Sequence, residues 1–237
     1  AWERGAVIPI RDTIRPRHTP LVNYALILTN VILLIHVQRL GASAGEAYLL
    51  EHGAVPVQLL SASGPREAFT LISSLFLHGG WLHLLSNMWA LWIFGDNVED
   101  RLGPVGYLFF YLACGAIANL VHVHLNPASD LPVVGASGAI AGVMGAYLLT
   151  FPRARVITLV PIGFLWLIRV PAVLYLGGWL LLQLFSGIQT LTGEAAQSGL
   201  GGVAWWAHVG GFLAGMLLIR VMPRRRSGSA LRGIERG

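Results

Sequence analysis

Polar residues interrupt three apolar stretches of this sequence, and their residue types are those used in acyl-transfer chemistry. Ser137 lies near the start of the glycine-rich run VVGASGAIAGVMGAYLLTF, residues 133–151. His208 lies within AWWAHVGGFLAG, and His83 and Asn87 lie four residues apart within HGGWLHLLSNMW. A serine with a histidine base at hydrogen-bond distance is the minimal nucleophilic pair. Polar side chains nearby can hold the oxyanion that forms when a carbonyl is attacked.

Each of these positions also has a purely structural interpretation. Two GxxxG patterns, which let helices pack closely, are formed by Gly138 with Gly142 and by Gly211 with Gly215. A histidine or asparagine inside an apolar helix often serves only to hydrogen-bond a neighbouring helix. Taken one at a time, the serine, the two histidines and the asparagine are better explained by helix packing than by catalysis.

The composition indicates a membrane protein. Of the 237 residues, 55% are hydrophobic and 11% are charged, whereas soluble domains carry about 25% charged residues. The single cysteine, Cys114, excludes an internal disulfide, and all 16 basic residues are arginines. We therefore expect the positive charge to orient the chain in a bilayer rather than to bind nucleic acid.

The apolar runs predict an all-α polytopic protein, a six-helix bundle with a long outer first loop. The predicted spans are 21–38, 81–94, 105–125, 137–151, 171–191 and 202–222. Residues 156–168 are expected to form a loop at the membrane edge, and the stretch AGEAYLLEHGA in the outer loop suits a short helix on the membrane surface. The predicted organisation is a cytoplasmic segment 1–20, a membrane domain 21–222 and a basic cytoplasmic tail 223–237.

The distribution of arginines predicts that both termini are cytoplasmic, in a multi-pass protein of the cell membrane. In this orientation only Arg39 and Arg66 face the outside, and the other arginines lie at cytoplasmic ends of spans or in the termini. This is the positive-inside pattern, and two cytoplasmic termini require an even number of spans. The polar start of the sequence lacks the apolar core of a cleavable signal peptide, so none is expected.

The fourth span is too short to cross the membrane completely, and this places Ser137 below the outer surface. Its 15 residues cover about 22 Å, against a hydrocarbon core of about 30 Å. Ser137 would then begin a helix about 8 Å deep, where free N–H groups and the helix dipole favour an oxyanion. His208 is expected about 9 Å deep, and His83 and Asn87 reach that level too. No carboxylate in a span can orient His208, so we expect a dyad rather than a triad.

Together these motifs resemble those of the rhomboid intramembrane serine proteases. The sequence GASG opens a short helix, HLLSN lies on the second span and AHVGG lies on the sixth, and the resemblance covers 21–222 in order and spacing. It implies a six-helix core that cleaves single-pass transmembrane substrates near the outer membrane boundary. The residues to which the resemblance assigns roles are Ser137 as nucleophile, His208 as general base, His83, Asn87 and the Ser137 backbone N–H as oxyanion donors, and Gly135 and Gly138 as motif glycines.

Two positions depart from the family pattern. The first loop often carries Trp-Arg about nine residues before the position of His78, where this chain has Phe69-Thr70. Some members have an aromatic residue four positions after the serine that packs on the catalytic histidine, and here that position is Ala141. The first departure concerns how the loop is anchored, and the second implies that His208 is oriented by packing from elsewhere.

Two other classes of function fit parts of the sequence. A rhomboid-fold membrane subunit could bind transmembrane partners without proteolysis, although inactive family members usually lack the serine or the histidine. A transporter or channel would need charged residues along a path or inverted repeats, and neither is found in the sequence. No metal is expected, because the histidines form no HExxH pattern, and no cofactor is expected, because the sequence has no P-loop or dinucleotide-binding motif. The expected partners are transmembrane helix substrates and the lipid bilayer, with no nucleic acid, and no pattern sets the oligomeric state.

Overall fold

The computed structural model describes residues 8–61, 64–162, 164–191 and 203–225. The helices are α1 Leu21–Arg39, α2 Ala42–His52, α3 Pro56–Ser61, α4 Pro65–Ser73, α5 Trp81–Leu102, α6 Pro104–Leu125, α7 Ser137–Thr150, α8 Ala172–Leu191 and α9 Trp205–Val221, with a 3₁₀ turn at Ser74–Phe76. The strands are β1 Ile8–Asp12, β2 Arg155–Ile162 and β3 Phe164–Pro171. Arg4, the expected start of the sixth span at Gly202 and the basic tail after Arg225 lie outside the described residues.

Several of the described helices have the length and apolar composition of a membrane span. Three of them, α1, α6 and α8, meet both criteria alone. The segment of α4 with its 3₁₀ turn meets them together with α5, as a pair bent by 81°, which raises the number to four. The helices α7 and α9 are apolar but shorter. The chain is therefore a mainly helical, multi-pass membrane protein.

Helix α7 is the buried centre of the bundle, because every residue from 138 to 147 is buried. Its backbone lies in direct contact with the backbone of α9. A Cβ added to Gly211 would collide with the carbonyl group of Gly138, and one added to Gly215 would collide with that of Gly142. The two GxxxG patterns therefore face each other, and their contact fixes where the start of α7 lies relative to α9.

The segment between α1 and α5 holds the chain that leads into α7. It contains α2, which coincides with the short helix expected in AGEAYLLEHGA. Ala54 and Val133 form an isolated antiparallel bridge, with N···O distances of 3.1 and 2.9 Å. The Gly135 N–H donates to the Ser74 carbonyl at 2.9 Å. These hydrogen bonds fix the turn immediately before Ser137.

The segment 156–168 was expected to be a loop at the membrane edge, and the expectation of a loop was wrong, because the strands Arg155–Ile162 and Phe164–Pro171 pair as a β-hairpin. The strands β2 and β3 pair antiparallel, and β1 adds antiparallel to the other edge of β2 to give the order β1-β2-β3. The β-branched residues of RVITLVPI suit a strand. From the sequence, this apolar run was judged only by whether it could form a membrane span, and not by whether it could form a strand. Its pairing partner β1 lies far away in the sequence, near the start of the chain, so no local pattern identifies it.

Strand β1 is held against the bundle by side chains of α5 and α7. Trp89 Nε1 donates to the Pro9 carbonyl at 2.6 Å. Asn97 Nδ2 donates to Asp12 Oδ2 at 3.0 Å, and the Tyr147 hydroxyl donates to the same oxygen. Burial raises the pKa of Asp12, and the hydrogen bond from Tyr147 opposes this only in part. The stretch expected to be a polar cytoplasmic segment thus contains a strand that ties α5, α7 and the hairpin together.

Candidate active site

Ser137 and His208 are in hydrogen-bond contact where α7 meets α9. Ser137 is the first residue of α7, and His208 lies in the first turn of α9, one turn before the Gly211 contact. The Ser137 Oγ to His208 Nε2 distance is 2.8 Å. His208 is buried and Ser137 is half-buried. The distance lies within the roughly 2.6–3.2 Å at which a base takes a proton directly.

The second nitrogen of His208 contacts a residue that the sequence analysis did not single out. Gln183 Oε1 of α8 lies 2.7 Å from His208 Nδ1, and Gln183 is buried. Trp179, four residues earlier on the same helix, lies over His208 with ring centroids 5.7 Å apart and an interplanar angle of 36°. A signal was present in the sequence, because Gln183 is a polar residue in the middle of the apolar run GGWLLLQLF.

His83 and Asn87 lie beside the turn that leads into Ser137. Gly135 has φ +131°, and a Cβ added there would lie 2.8 Å from the Cε1 and Nε2 atoms of His83 and 3.7 Å from Asn87 Nδ2. Asn87 Nδ2 also donates to His78 Nε2 at 3.0 Å. The rings of His78 and His83 pack edge to face at 5.0 Å. Glycine is therefore required at position 135 both by its backbone conformation and by the close approach of His83.

The amino-terminal end of α7 leaves backbone N–H groups for a ligand at the site. Ala136 is the N-cap residue, and within the described part of the chain no side chain caps this end of the helix. The first N–H groups of a helix have no partners inside the helix, and they carry partial positive charge. Gly138, the second motif glycine, faces Ala118 and Ala207. It therefore provides room for packing against α6 and α9.

Chemically, the arrangement can activate a hydroxyl and stabilise a negative oxygen beside it. The Ser137 hydroxyl faces a histidine nitrogen, and free N–H groups, His83 and Asn87 surround the turn that carries it. Among the described residues, no group of three or more His, Cys, Asp or Glu side chains is placed to hold a metal ion.

Comparison with known proteins gives one consistent family. A family model for the Rhomboid domain matches residues 65–225. The chain is similar to "Rhomboid protease GluP" of Bacillus subtilis, with 32% identity over 129 residues, which cover 54% of this chain and 24% of that protein. It is also similar to "Rhomboid-like protein 11, chloroplastic" of Arabidopsis thaliana, with 29% identity over 171 residues, 68% of this chain and 55% of that protein.

A mitochondrial protein gives a third match. "Rhomboid protein 1, mitochondrial" of Saccharomyces cerevisiae is 29% identical over 165 residues, which cover 67% of this chain and 43% of that protein. The chain thus spans from about a quarter to about half of the length of these three relatives. The relatives include bacterial, chloroplast and mitochondrial proteins, so the match specifies a membrane protein and no particular membrane.

Proposed function

This chain belongs to the rhomboid family, and on that premise we propose that it is an intramembrane serine protease. Ser137 is the nucleophile and His208 is the general base. The observation that carries the proposal is the 2.8 Å contact between Ser137 Oγ and His208 Nε2. The presence of proteins named as rhomboid proteases among the relatives supports the reaction class.

The proposed reaction is acyl transfer to serine followed by hydrolysis. Ser137 Oγ attacks the carbonyl carbon of a peptide bond while His208 Nε2 takes the hydroxyl proton. The oxyanion is stabilised by the Ser137 backbone N–H together with His83 and Asn87. The C–N bond then breaks as His208 returns the proton to the leaving amine. Water, deprotonated by the same nitrogen, hydrolyses the acyl-enzyme and frees the serine.

The proposed topology has six spans, formed by α1, α5, α6, α7, α8 and α9, within a membrane domain of residues 21–222. Both termini are cytoplasmic, because this orientation leaves only Arg39 and Arg66 outside. The 14 residues of α7 cover about 21 Å, so Ser137 lies below the outer boundary of the cell membrane. The substrates are single-pass transmembrane proteins, and helix-breaking residues near that boundary favour cleavage because a helix hides its carbonyl groups in hydrogen bonds.

Cleavage of a single-pass reporter by purified protein in liposomes tests this proposal. Ser137→Ala and His208→Ala are each expected to lower the turnover rate at least about a hundredfold. The matched controls are Ser61→Ala and His124→Ala, because both residues are exposed and belong to other segments. Equal cleavage by the parent protein and both site variants would refute the assignment.

Labelling by a fluorophosphonate probe tests the nucleophile separately from the substrate. The parent protein in detergent is expected to label, and Ser137→Ala is expected not to. Labelling that survives Ser137→Ala would exclude Ser137 as the nucleophile. A non-proteolytic subunit that only binds transmembrane partners predicts neither labelling nor cleavage by the parent protein.

A further inference from the structure

We propose that Gln183 of α8 is the positioning residue of this site, holding His208 in the tautomer that accepts the proton of Ser137. The inference rests on the proposed function for its catalytic meaning. Gln183 Oε1 lies 2.7 Å from His208 Nδ1, and the opposite nitrogen, Nε2, lies 2.8 Å from Ser137 Oγ. The three side chains therefore form a continuous hydrogen-bonded chain from α8 through α9 to α7.

The chemistry of the amide oxygen determines the direction of this chain. A neutral imidazole has one N–H and one free lone pair, and an amide oxygen can only accept. Because Oε1 faces Nδ1, the hydrogen is on Nδ1 and the lone pair of Nε2 points at the serine hydroxyl. The other tautomer would carry hydrogen on Nε2 and leave no acceptor for the serine proton. Gln183 therefore selects the productive form.

Helix α8 also fixes the plane of the imidazole. Trp179 lies one turn before Gln183 and on the same face, with its ring 5.7 Å from that of His208. The position where some family members carry an aromatic packing residue is Ala141, which is buried in α7. In this chain, the hydrogen bond to Nδ1 and the closer of two ring contacts on His208 thus come from α8, and the second ring contact, at 6.2 Å, comes from Trp205 of α9 itself.

A glutamine suits this position better than the carboxylate of a soluble triad. Gln183 is only 6% exposed and lies in an apolar helix of a membrane protein. Placing a charged carboxylate there is costly, whereas the neutral amide supplies the same acceptor oxygen. When His208 becomes protonated during the reaction, the hydrogen bond from Nδ1–H to the amide strengthens because its donor is charged. The site then works as a serine–histidine–glutamine chain.

Steady-state kinetics on the single-pass reporter tests the functional part. Gln183→Leu removes the acceptor with little change in volume, and we expect kcat to fall about ten- to a hundredfold with KM nearly unchanged. Gln183→Glu keeps an oxygen that accepts from Nδ1–H but adds a charge that is costly at this buried position, so we expect its kcat to lie between those of Gln183→Leu and the parent. Gln38→Leu, at the exposed end of α1, is the matched control and should leave both constants unchanged. Parent-like kcat in Gln183→Leu would overturn the proposal.

The tautomer itself can be measured without any substrate. In protein labelled with ¹⁵N-histidine, at alkaline pH, the His208 signals are assigned by comparison with His208→Ala. The parent protein should show hydrogen on Nδ1, and Gln183→Leu should shift the population toward hydrogen on Nε2. Hydrogen on Nε2 in the parent would overturn the inference. If the parent cuts no reporter, the proposed function fails, and this spectrum still decides whether Gln183 sets the tautomer.

Discussion

Asn87 lies beside the turn that precedes Ser137, and its Nδ2 donates one hydrogen to His78 Nε2 at an N···N distance of 3.0 Å. A side-chain amide has two N–H donors, so the second is available to an oxyanion at Ser137. We expect Asn87→Ala to lower kcat about a hundredfold, the usual effect of removing one oxyanion donor, with little change in KM. Reporter kinetics measures this, with Asn126→Ala as control, because Asn126 bonds to the His122 carbonyl of its own helix end. An unchanged kcat would remove Asn87 from the oxyanion site.

Gly135 provides a test of the geometry around the nucleophile. An alanine there would meet the His83 ring at 2.8 Å and would have to adopt a φ of +131°. We expect Gly135→Ala to slow fluorophosphonate labelling at least about tenfold and to destabilise the fold by about 1–3 kcal/mol. Gly178→Ala on α8 is the matched control, because nothing lies within 4 Å of its added Cβ. Equal labelling rates in the two variants would contradict the proposed role of this turn.

At the residue scale, the sequence can identify Ser137, His208, His83 and Asn87 as candidates because they are polar residues within or beside apolar helices. Gln183 is also a polar residue within an apolar helix, but the sequence cannot show that its side chain contacts His208. Whether Gln183 reaches His208 depends on the rotation of α8 about its axis. A helix that is apolar on all faces gives no pattern from which to read that rotation. The hydrogen bond becomes visible only when α8 and α9 are packed.

At the element scale, helix positions could be predicted where a membrane span and a helix have the same limits. The third span was expected at 105–125, and α6 is Pro104–Leu125; the fourth was expected at 137–151, and α7 is Ser137–Thr150. The second span was expected to stop at Phe94, but α5 continues to Leu102 and ends at Gly103, where φ is +76°. Hydropathy detects only the part of a helix that is apolar enough for lipid. The polar turns DNVEDRL continue α5 beyond that part.

The three-stranded sheet could not be predicted from hydropathy or from local sequence patterns. A strand pair that joins Ile8–Asp12 to Arg155–Ile162 depends on residues far apart in the sequence. Neither segment alternates clearly between polar and apolar residues, so period-two patterning gives little signal. In addition to its pairing with β2, β1 is held in place by side-chain hydrogen bonds from α5 and α7.

Asp12 makes the attachment of β1 dependent on pH. Burial raises its pKa in the folded protein, so the folded state favours the protonated form. Its contribution to stability is then present below the unfolded pKa, about 3.9, and is lost as the pH rises through the raised value. Asp12→Asn imitates the protonated form. The unfolding temperature of the parent minus that of Asp12→Asn should therefore fall with rising pH.

Thermal unfolding in detergent over a pH series measures this difference. The exposed Asp130→Asn is the matched control, and its difference from the parent should vary less with pH. Asp12→Ala, which cannot accept from Asn97 and Tyr147, should be less stable than Asp12→Asn at every pH. A difference between parent and Asp12→Asn that grows with pH would show that the charged form of Asp12 is the one that holds β1.

At the scale of the whole molecule, Ser137 and His208 are carried by α7 and α9, which are apolar but shorter than the candidate spans found among the described residues. A short helix that reaches one boundary must begin inside the membrane at its other end. Both residues lie in the first turn of their helices. The close backbone packing of α7 on α9 places the two first turns level with each other, which is the condition for a shared site.

The orientation of this arrangement is testable with introduced cysteines in a Cys114→Ala background, since Cys114 is fully buried. Ala128→Cys lies in the exposed connection before α7, and Arg153→Cys lies in the exposed connection after it. If α7 begins near the outside, a membrane-impermeant maleimide should label Ala128→Cys in intact cells and Arg153→Cys only after permeabilisation. The reverse pattern would place Ser137 near the cytoplasmic surface, and substrates would then be cut at their cytoplasmic ends. Labelling of both positions in intact cells would mean that α7 does not separate the two sides.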